Sequence, residues 1–448
     1  MTDGNPHGRL AAHNVFKGKP GVTSLCKRSV THEEFSSALF LLIDNFIIRR
    51  IIHCTEAEYH RQTGCNGWKL SKEELLAVIG LLYIRGATSA SKLEMESLWS
   101  KQWGLPIFNL TLSRNRFREI MAYLRFDEKS NRSDRIVTDK FCMISEIWNR
   151  FISNGQQYFY PNINLTVDEQ LLPCKSRCPY TQYMPQKPDK FRLKFWVLCD
   201  TKSKFVLNSI PYLGANEERP ANRELAHNVV MSLMQPYFKL GHNVTCDNFF
   251  TSNTLAEDLK KEKTSIVGTM RKNRRELPSI LGTIETSLLR YDSKFLVNKE
   301  NDFSLTIYKC KPSKAVCLFS SMHPTCKFSS PPKKVPETIQ YYNQTKYGVD
   351  IFDQMSRKYT TKAGSRRWPV AVFYNLLDIC GINSWIIYKE CTGSKISRRN
   401  FLLKLGEEMC LIHSRNSAQA LAPPMPSTNT TPGVTRKKCQ VTNHYNKT

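Results

Sequence analysis

Asn164-Leu165-Thr166-Val167-Asp168-Glu169-Gln170 is the stretch whose reading decides the fold, and Val244-Thr245-Cys246-Asp247 repeats its pattern. Both read apolar, Thr, apolar, Asp. Side chains alternate across a strand, so each Asp shares a face with a Thr and opposes the apolar pair. Short apolar runs at Asn164–Gln170, Phe191–Asp200 and Phe205–Tyr212 predict three strands, followed by a helix from about Asn222 to Phe238. A strand at His242–Phe249, a helix at Ser252–Glu262 and a strand at Thr264–Met270 complete the series. Three strands, a helix, a strand, a helix and a strand is the order of a ribonuclease-H-like α/β domain.

If the two patterned strands are neighbours in register, their carboxylates converge at one sheet edge. Converging carboxylates repel unless a cation lies between them, and hard oxygen ligands suit Mg²⁺ or Mn²⁺. Read alone, either Asp serves as well as a cap for the next turn. A third element is Tyr347-Gly348-Val349-Asp350-Ile351-Phe352-Asp353-Gln354-Met355. On a helix Asp350 and Asp353 lie on one side, and Val349, Phe352 and Met355 form an adjacent apolar stripe. A solvated acidic face is the ordinary explanation of such a pair. It sits less well in a chain with 65 Lys and Arg against 39 Asp and Glu, a formal charge of +26. Together the three elements supply the donors of a site for two divalent ions. The ten His show no metal spacing, and Cys174 with Cys178 lacks a second ligand pair.

The same charge makes nucleic acid the expected partner, with an anionic membrane surface as the alternative. Two apolar stretches, Phe35 to Ile52 and Val370 to Tyr388, are interrupted by Asp44 and Asn45, and by Asn375, Asp378 and Asn383. A lipid-facing helix rarely tolerates these, so both read as buried helices. The opening residues carry no apolar signal core, and the fifteen Cys read as reduced thiols.

Changes of pattern along the chain divide it into domains. Residues 1–30 are expected to form a flexible lead-in, and 31–160 the first part of a helical domain. There, capping-box spacing at Thr31 with Glu34 and at Ser71 with Glu74 precedes apolar runs. Residues 161–270 are the first part of the catalytic core, 271–335 a β-rich insertion and 336–359 the core helix with the last acids. Residues 360–413 return to the helical domain, and 414–448 form a disordered Ser/Thr/Pro/Asn-rich tail. Basic and aromatic residues flank the acids. Arg177, Lys187, Lys190, Arg271, Lys272, Arg366 and Arg367 are the expected phosphate contacts, and Trp368 an expected stacking surface for an unpaired base.

These residues resemble the piggyBac transposase family. The resemblance is carried, in order, by Thr166-Val167-Asp168-Glu169-Gln170-Leu171-Leu172, Pro185-Gln186-Lys187-Pro188, Pro211-Tyr212-Leu213-Gly214 and Thr245-Cys246-Asp247-Asn248-Phe249-Phe250-Thr251-Ser252. Tyr341-Tyr342-Asn343-Gln344-Thr345-Lys346, Gly348-Val349-Asp350, Asp353-Gln354-Met355 and Arg367-Trp368-Pro369 follow. It extends over about residues 17 to 413. It implies a cut-and-paste DNA transposase with catalytic acids Asp168, Asp247 and Asp350, Asp353 as the fourth metal-site acid, and two Mg²⁺ or Mn²⁺ ions. It also implies that the helical domain of 31–160 and 360–413 serves DNA binding and dimerisation, with hairpin formation on the flanking strand, joining at TTAA target DNA, a homodimer, no membrane and a nuclear location. The chain departs from the family at its end. Of the zinc-binding C-terminal domain only Cys439 and His444 are candidates, too few for zinc. Two other readings stand beside this one: a host-retained DNA-binding protein without transposition activity, and a ribonuclease-H-like nuclease acting on RNA or hybrids.

Overall fold

The computed structural model describes residues 15–186, 188–214, 224–278, 284, 286–298 and 300–421, with side chains as far as 414. The first helices, α1 (Phe35–Leu42), α2 (Asn45–Thr63), α3 (Lys72–Ala87), α4 (Arg114–Tyr123) and α5 (Ser145–Tyr158), precede the sheet. Ser71 and Glu74 close the expected capping box of α3, which satisfies two otherwise orphaned N–H groups. The box expected at Thr31 does not form. Helix α1 starts at Phe35, and its first N–H groups, on Phe35 and Ser36, donate to the Glu408 carboxylate instead (2.8 and 3.2 Å). A distant acid supplies the cap that local spacing suggested.

Residues 15–30, expected within the flexible lead-in, are tied down. Gly21-Val22 pairs antiparallel with Phe159-Tyr160, and Thr23 caps a short helix at Ser24–Ser29.

The sheet follows. Strands β1 (Asn164–Pro173), β2 (Phe191–Asp200) and β3 (Val206–Pro211) run antiparallel. Helix α6 (Leu225–Met234) leads to β4 (Asn243–Cys246), and α7 (Asn253–Lys261) to β5 (Ser265–Thr269). Strand β4 lies between β1 and β5, parallel to both. This is the expected strand and helix order, and its apolar alternation explains it: Leu165, Val167, Val244 and Cys246 are buried on the face opposite the Thr and Asp side chains.

The segment expected as a β-rich insertion contains β6 (Ser293–Asn298), β7 (Phe303–Lys311) and β8 (Lys314–Ser320). These strands extend the core sheet rather than standing apart from it. Strand β8 pairs antiparallel with β5, Phe319 opposite Gly268, so the order across the sheet is β2-β1-β4-β5-β8-β7-β6. The reason is an unpaired edge: β5 would otherwise present a row of bare backbone groups.

Helices α8 (Glu337–Thr345), α9 (Gly348–Lys358), α10 (Trp368–Thr392) and α11 (Arg398–Leu421) close the fold. Among the described residues α10 is the one helix long and apolar enough to cross a membrane, and it is mostly buried in protein. Its polar residues stitch it to the sheet. Asn375 exchanges two hydrogen bonds with Gln170 (2.9 and 3.1 Å), and Asn383 bonds both the N–H and the carbonyl of Val206 (3.0 Å each). The fourteen Cys among the described residues are free thiols.

Candidate active site

The site is built from the Thr-x-Asp repeat. Strands β1 and β4 are aligned so that Thr166 faces Thr245 and Val167 faces Cys246. Asp168 and Asp247 therefore occupy the next matching positions, one residue beyond the last paired residues and on the face of the two Thr. Those Thr do a second job. Thr166 Oγ1 donates to the carbonyl of Thr345 (2.7 Å), and Thr245 Oγ1 donates to Thr345 Oγ1 (2.8 Å). Both strands thus grip the end of α8, where the chain turns into α9.

Gly348 begins α9 and makes the close approach possible. A Cβ there would stand 2.4 Å from Thr166 Oγ1 and 2.8 Å from Thr166 Cβ, distances no side chain can occupy. With hydrogen in that place the first turn of α9 rests on β1, two residues before Asp168. Val349 and Phe352 are buried beneath it, 1% and 0% exposed. Asp350 lies in that first turn, exposed, and Asp353 one turn further, half-buried.

The electrostatics record the crowding. Burial first, then the negative charges of Asp247 and Asp350, push the Asp168 carboxyl up to about 7, against the pull of the Glu169 N–H it accepts (2.8 Å). Asp247 is also raised by burial, although the Phe249 N–H donates to it (2.8 Å) and Arg271 pulls the other way. Burial raises Asp353 as well, opposed by its ion pair with Arg357 (2.7 Å). Among the described residues, no three His, Cys, Asp or Glu side chains are drawn together tightly enough to hold one ion as they stand. Three of the four carboxylates are instead turned to local donors, Asp168 to the Glu169 N–H, Asp247 to the Phe249 N–H and Asp353 to Arg357. The donor set itself, hard carboxylate oxygens with one group destabilised by its neighbours' charge, fits a divalent cation of the Mg²⁺ or Mn²⁺ kind.

With this arrangement in view, the comparisons are specific. The model of the family described as Transposase IS4 matches residues 36–385. A cryo-EM structure of the piggyBac transposase synaptic complex with hairpin DNA is 31% identical, covers 93% of this chain and 90% of that one, and superposes with a TM-score of 0.83. The chain belongs to the piggyBac family of transposases. The human piggyBac transposable element-derived protein 3 is 22% identical over 345 residues, 71% of this chain and 56% of that protein. The human chimeric ERCC6-PGBD3 protein shows the same identity over 31% of its length. This chain therefore spans about half of the first curated relative and a third of the second.

The residues expected to touch nucleic acid in this piggyBac-family chain separate into two groups. Arg177, Lys190, Arg271, Lys272 and Arg366 are exposed; Arg271 Nε also donates to Asn248 Oδ1, beside Asp247 (3.1 Å). Lys187 lies outside the described residues, as do Cys439 and His444. Arg367 and Trp368 do not face solvent as expected. The Arg367 guanidinium caps the end of α4, donating to the carbonyls of Met121 (2.5 Å) and Leu124 (2.7 Å). Trp368 is 7% exposed, stacked on Phe141 at 5.7 Å and edge-on to Tyr180. The expectation of two exposed DNA contacts is corrected: Trp368, the first residue of α10, is buried, and Arg367, its half-buried N-cap, is engaged with α4. Tyr180 is likewise buried, which leaves the exposed pair Tyr183 and Phe191, 5.2 Å apart, as the aromatic surface of this region.

Reading the sequence missed one cluster. Lys194 pairs with Glu169 (2.8 Å) and stands 3.8 Å above the Trp196 ring, with Phe249 and Tyr212 also within 6 Å. Strand parity signals it, since Glu169 lies opposite Trp196 and Leu171 opposite Lys194.

Proposed function

We propose that this chain is a DNA transposase that cleaves and rejoins strands at Asp168, Asp247 and Asp350, with Asp353 as the fourth acid. The observation that carries the reading is the pairing of β1 with β4, which aligns Asp168 with Asp247 under a helix that brings Asp350 to them. These four acids would hold a pair of Mg²⁺ or Mn²⁺ ions, which when bound would supply activation of the attacking oxygen and stabilisation of the leaving one. The protein's own part is placement. The strands and the seated helix set the backbone positions of the acids, and the Asp168, Asp247 and Asp353 carboxylates would turn from their local donors to accept cations. Exposed Arg177, Lys190, Arg271, Lys272 and Arg366 hold the sugar–phosphate backbone, and Tyr183 with Phe191 offers stacking faces for unpaired bases.

The piggyBac transposase of the solved complex is bound to hairpin DNA. By that likeness, the substrate here is a double-stranded transposon end. Water attack frees a 3′-hydroxyl, which closes a hairpin on the flanking strand; hydrolysis reopens the hairpin, and the regenerated 3′-hydroxyl then joins a TTAA target, the chain acting as a homodimer in the nucleus. A second reading has its own support in the first curated relative, named a transposable element-derived protein. It is a host-retained DNA binder that no longer cleaves.

The test is cleavage of a labelled transposon-end duplex flanked by TTAA in Mg²⁺. Nicking and hairpin formation by the parent, lost in Asp247→Ala, is the expected result. Equal cutting by Asp247→Ala removes the site assignment. Salt-sensitive binding by the parent with no cutting favours the second reading.

A further inference from the structure

Asp378 is an acid in the middle of α10, the most apolar long helix of the chain, and the site described above does not use it. The residue is half-buried, beside a cavity of about 10 Å³ lined by Tyr83, Met355, Tyr359 and Arg398, too small for a ligand. Its carboxylate is fully engaged with the backbone that leaves α9. Oδ2 accepts from Thr360 Oγ1 (2.6 Å), and Oδ1 accepts from the Thr361 N–H (2.7 Å) and Thr361 Oγ1 (2.9 Å). The Arg85 guanidinium donates to the Thr361 carbonyl from the other side. Gly86 lets α3 come against the same segment, where a Cβ would stand 2.6 Å from the Tyr359 carbonyl oxygen and 2.8 Å from that of Thr360.

Burying a carboxylate is costly, and burial pushes Asp378 up to about 7 in spite of these donors and the nearby Arg398. An apolar residue would be cheaper at this position if packing were all that mattered. What the acid secures is the exit of α9. That helix is eleven residues long, about 16 Å; Gly348 seats its first turn, buried Phe352 its second, and the Arg357 guanidinium donates to the Leu171 carbonyl near its end (3.2 Å). The segment just beyond Lys358 is what Asp378 ties, and loosening it would free the last turn, which follows Asp353. We propose that Asp378 is a positioning residue for the reaction, clamping the C-terminal exit of α9 so that Asp350 and Asp353 keep station over Asp168 and Asp247. This rests on the reading of those four acids as the active site.

The experiment compares the full-length parent, Asp378→Ala and Asp378→Asn by hydrogen–deuterium exchange, DNA affinity and single-turnover cleavage. Asp378→Ala is expected to speed exchange across residues 348–361 at least tenfold, with peptides from 45–63 and 164–173 unchanged. Cleavage should slow at least tenfold while affinity for the end duplex stays within twofold. Asp378→Asn keeps Oδ1 as acceptor for the Thr361 N–H and hydroxyl, and should recover much of both losses. Unchanged exchange at 348–361, loosening equal across the whole fold, or Asn no better than Ala overturns the clamp. If Asp378→Ala does not fold, Thr360→Val, which removes one hydroxyl donor, carries the same comparison. A parent that does not cleave overturns the enzyme reading alone, because the exchange pattern still decides the clamp.

Discussion

Replacing Asp168 with Asn should make the protein more stable and inactive together. The Asp168 carboxyl is raised from 3.8 to about 7 by burial and by the charges of Asp247 and Asp350. Each pH unit between those two values corresponds to about 1.4 kcal/mol, so the ionised group costs the fold up to about 4 kcal/mol. The sign follows from which state holds the proton. Between these two values the folded carboxyl keeps a proton that the unfolded chain releases, so stability falls as pH rises through the window. Above about 7 both states are ionised and the full penalty is present; below about 4 it is absent. Asn is neutral throughout and can still accept the Glu169 N–H. The gain from Asp168→Asn, read as a shift in the urea unfolding midpoint, should therefore be near zero at pH 4, intermediate near pH 5.5 and largest at pH 8. Saturating Mg²⁺ should close the gap at pH 8 by stabilising the parent alone, by about 2.7 kcal/mol at a hundredfold excess over its Kd. An Asn variant no more stable than the parent at pH 8, or a gain independent of pH, would refute the idea that crowded charge defines this site.

Gly348→Ala should push α9 off β1, since the new Cβ meets Thr166 at 2.4 Å; overpacking of this kind costs about 1–3 kcal/mol. Cleavage is expected to fall at least tenfold with circular dichroism unchanged, and full activity would mean that α9 need not touch the strand. Arg366→Ala and Arg367→Ala, though adjacent, should part company. The first is expected to weaken duplex binding and lower its salt slope by about 1. The second should leave that slope unaltered and lower the thermal midpoint, because it strips the caps from Met121 and Leu124; the reverse outcome in a salt titration would undo the separation of the two.

The two strands bearing Asp168 and Asp247 were legible because one strand pattern carries both messages. Alternation put Leu165 and Val167 inward, and by the same parity put Thr166 and Asp168 together on the other face. What the pattern could not give was why a Thr precedes each Asp. That answer lies in Thr345, more than a hundred residues from β1, which both Thr bond. The same limit explains the misreadings. The spacing Thr31 to Glu34 fits a capping box, but Glu408 outcompetes it from the far end of the chain. Arg366-Arg367-Trp368 reads as a basic, aromatic surface, yet one Arg and the Trp are consumed by α4 and Phe141. The strands of 271–335 were readable one by one, whereas their joining to β5 depends on an edge that only the assembled sheet possesses.

Asp378 shows the limit most sharply. Its presence in an apolar run pointed to a buried helix, and α10 is mostly covered by protein; an acid in such a run is an anomaly that sequence alone can flag. Its purpose could not be read there, because Thr360 and Thr361 become its partners only once α9 has turned back over the sheet. Local chemistry therefore marked which residues are special, and long-range closure determined what each is special for. By that logic the acids and the clamp form one device: Thr345 and Gly348 set where α9 begins, Asp378 sets where it ends, and Asp350 and Asp353 are carried between them.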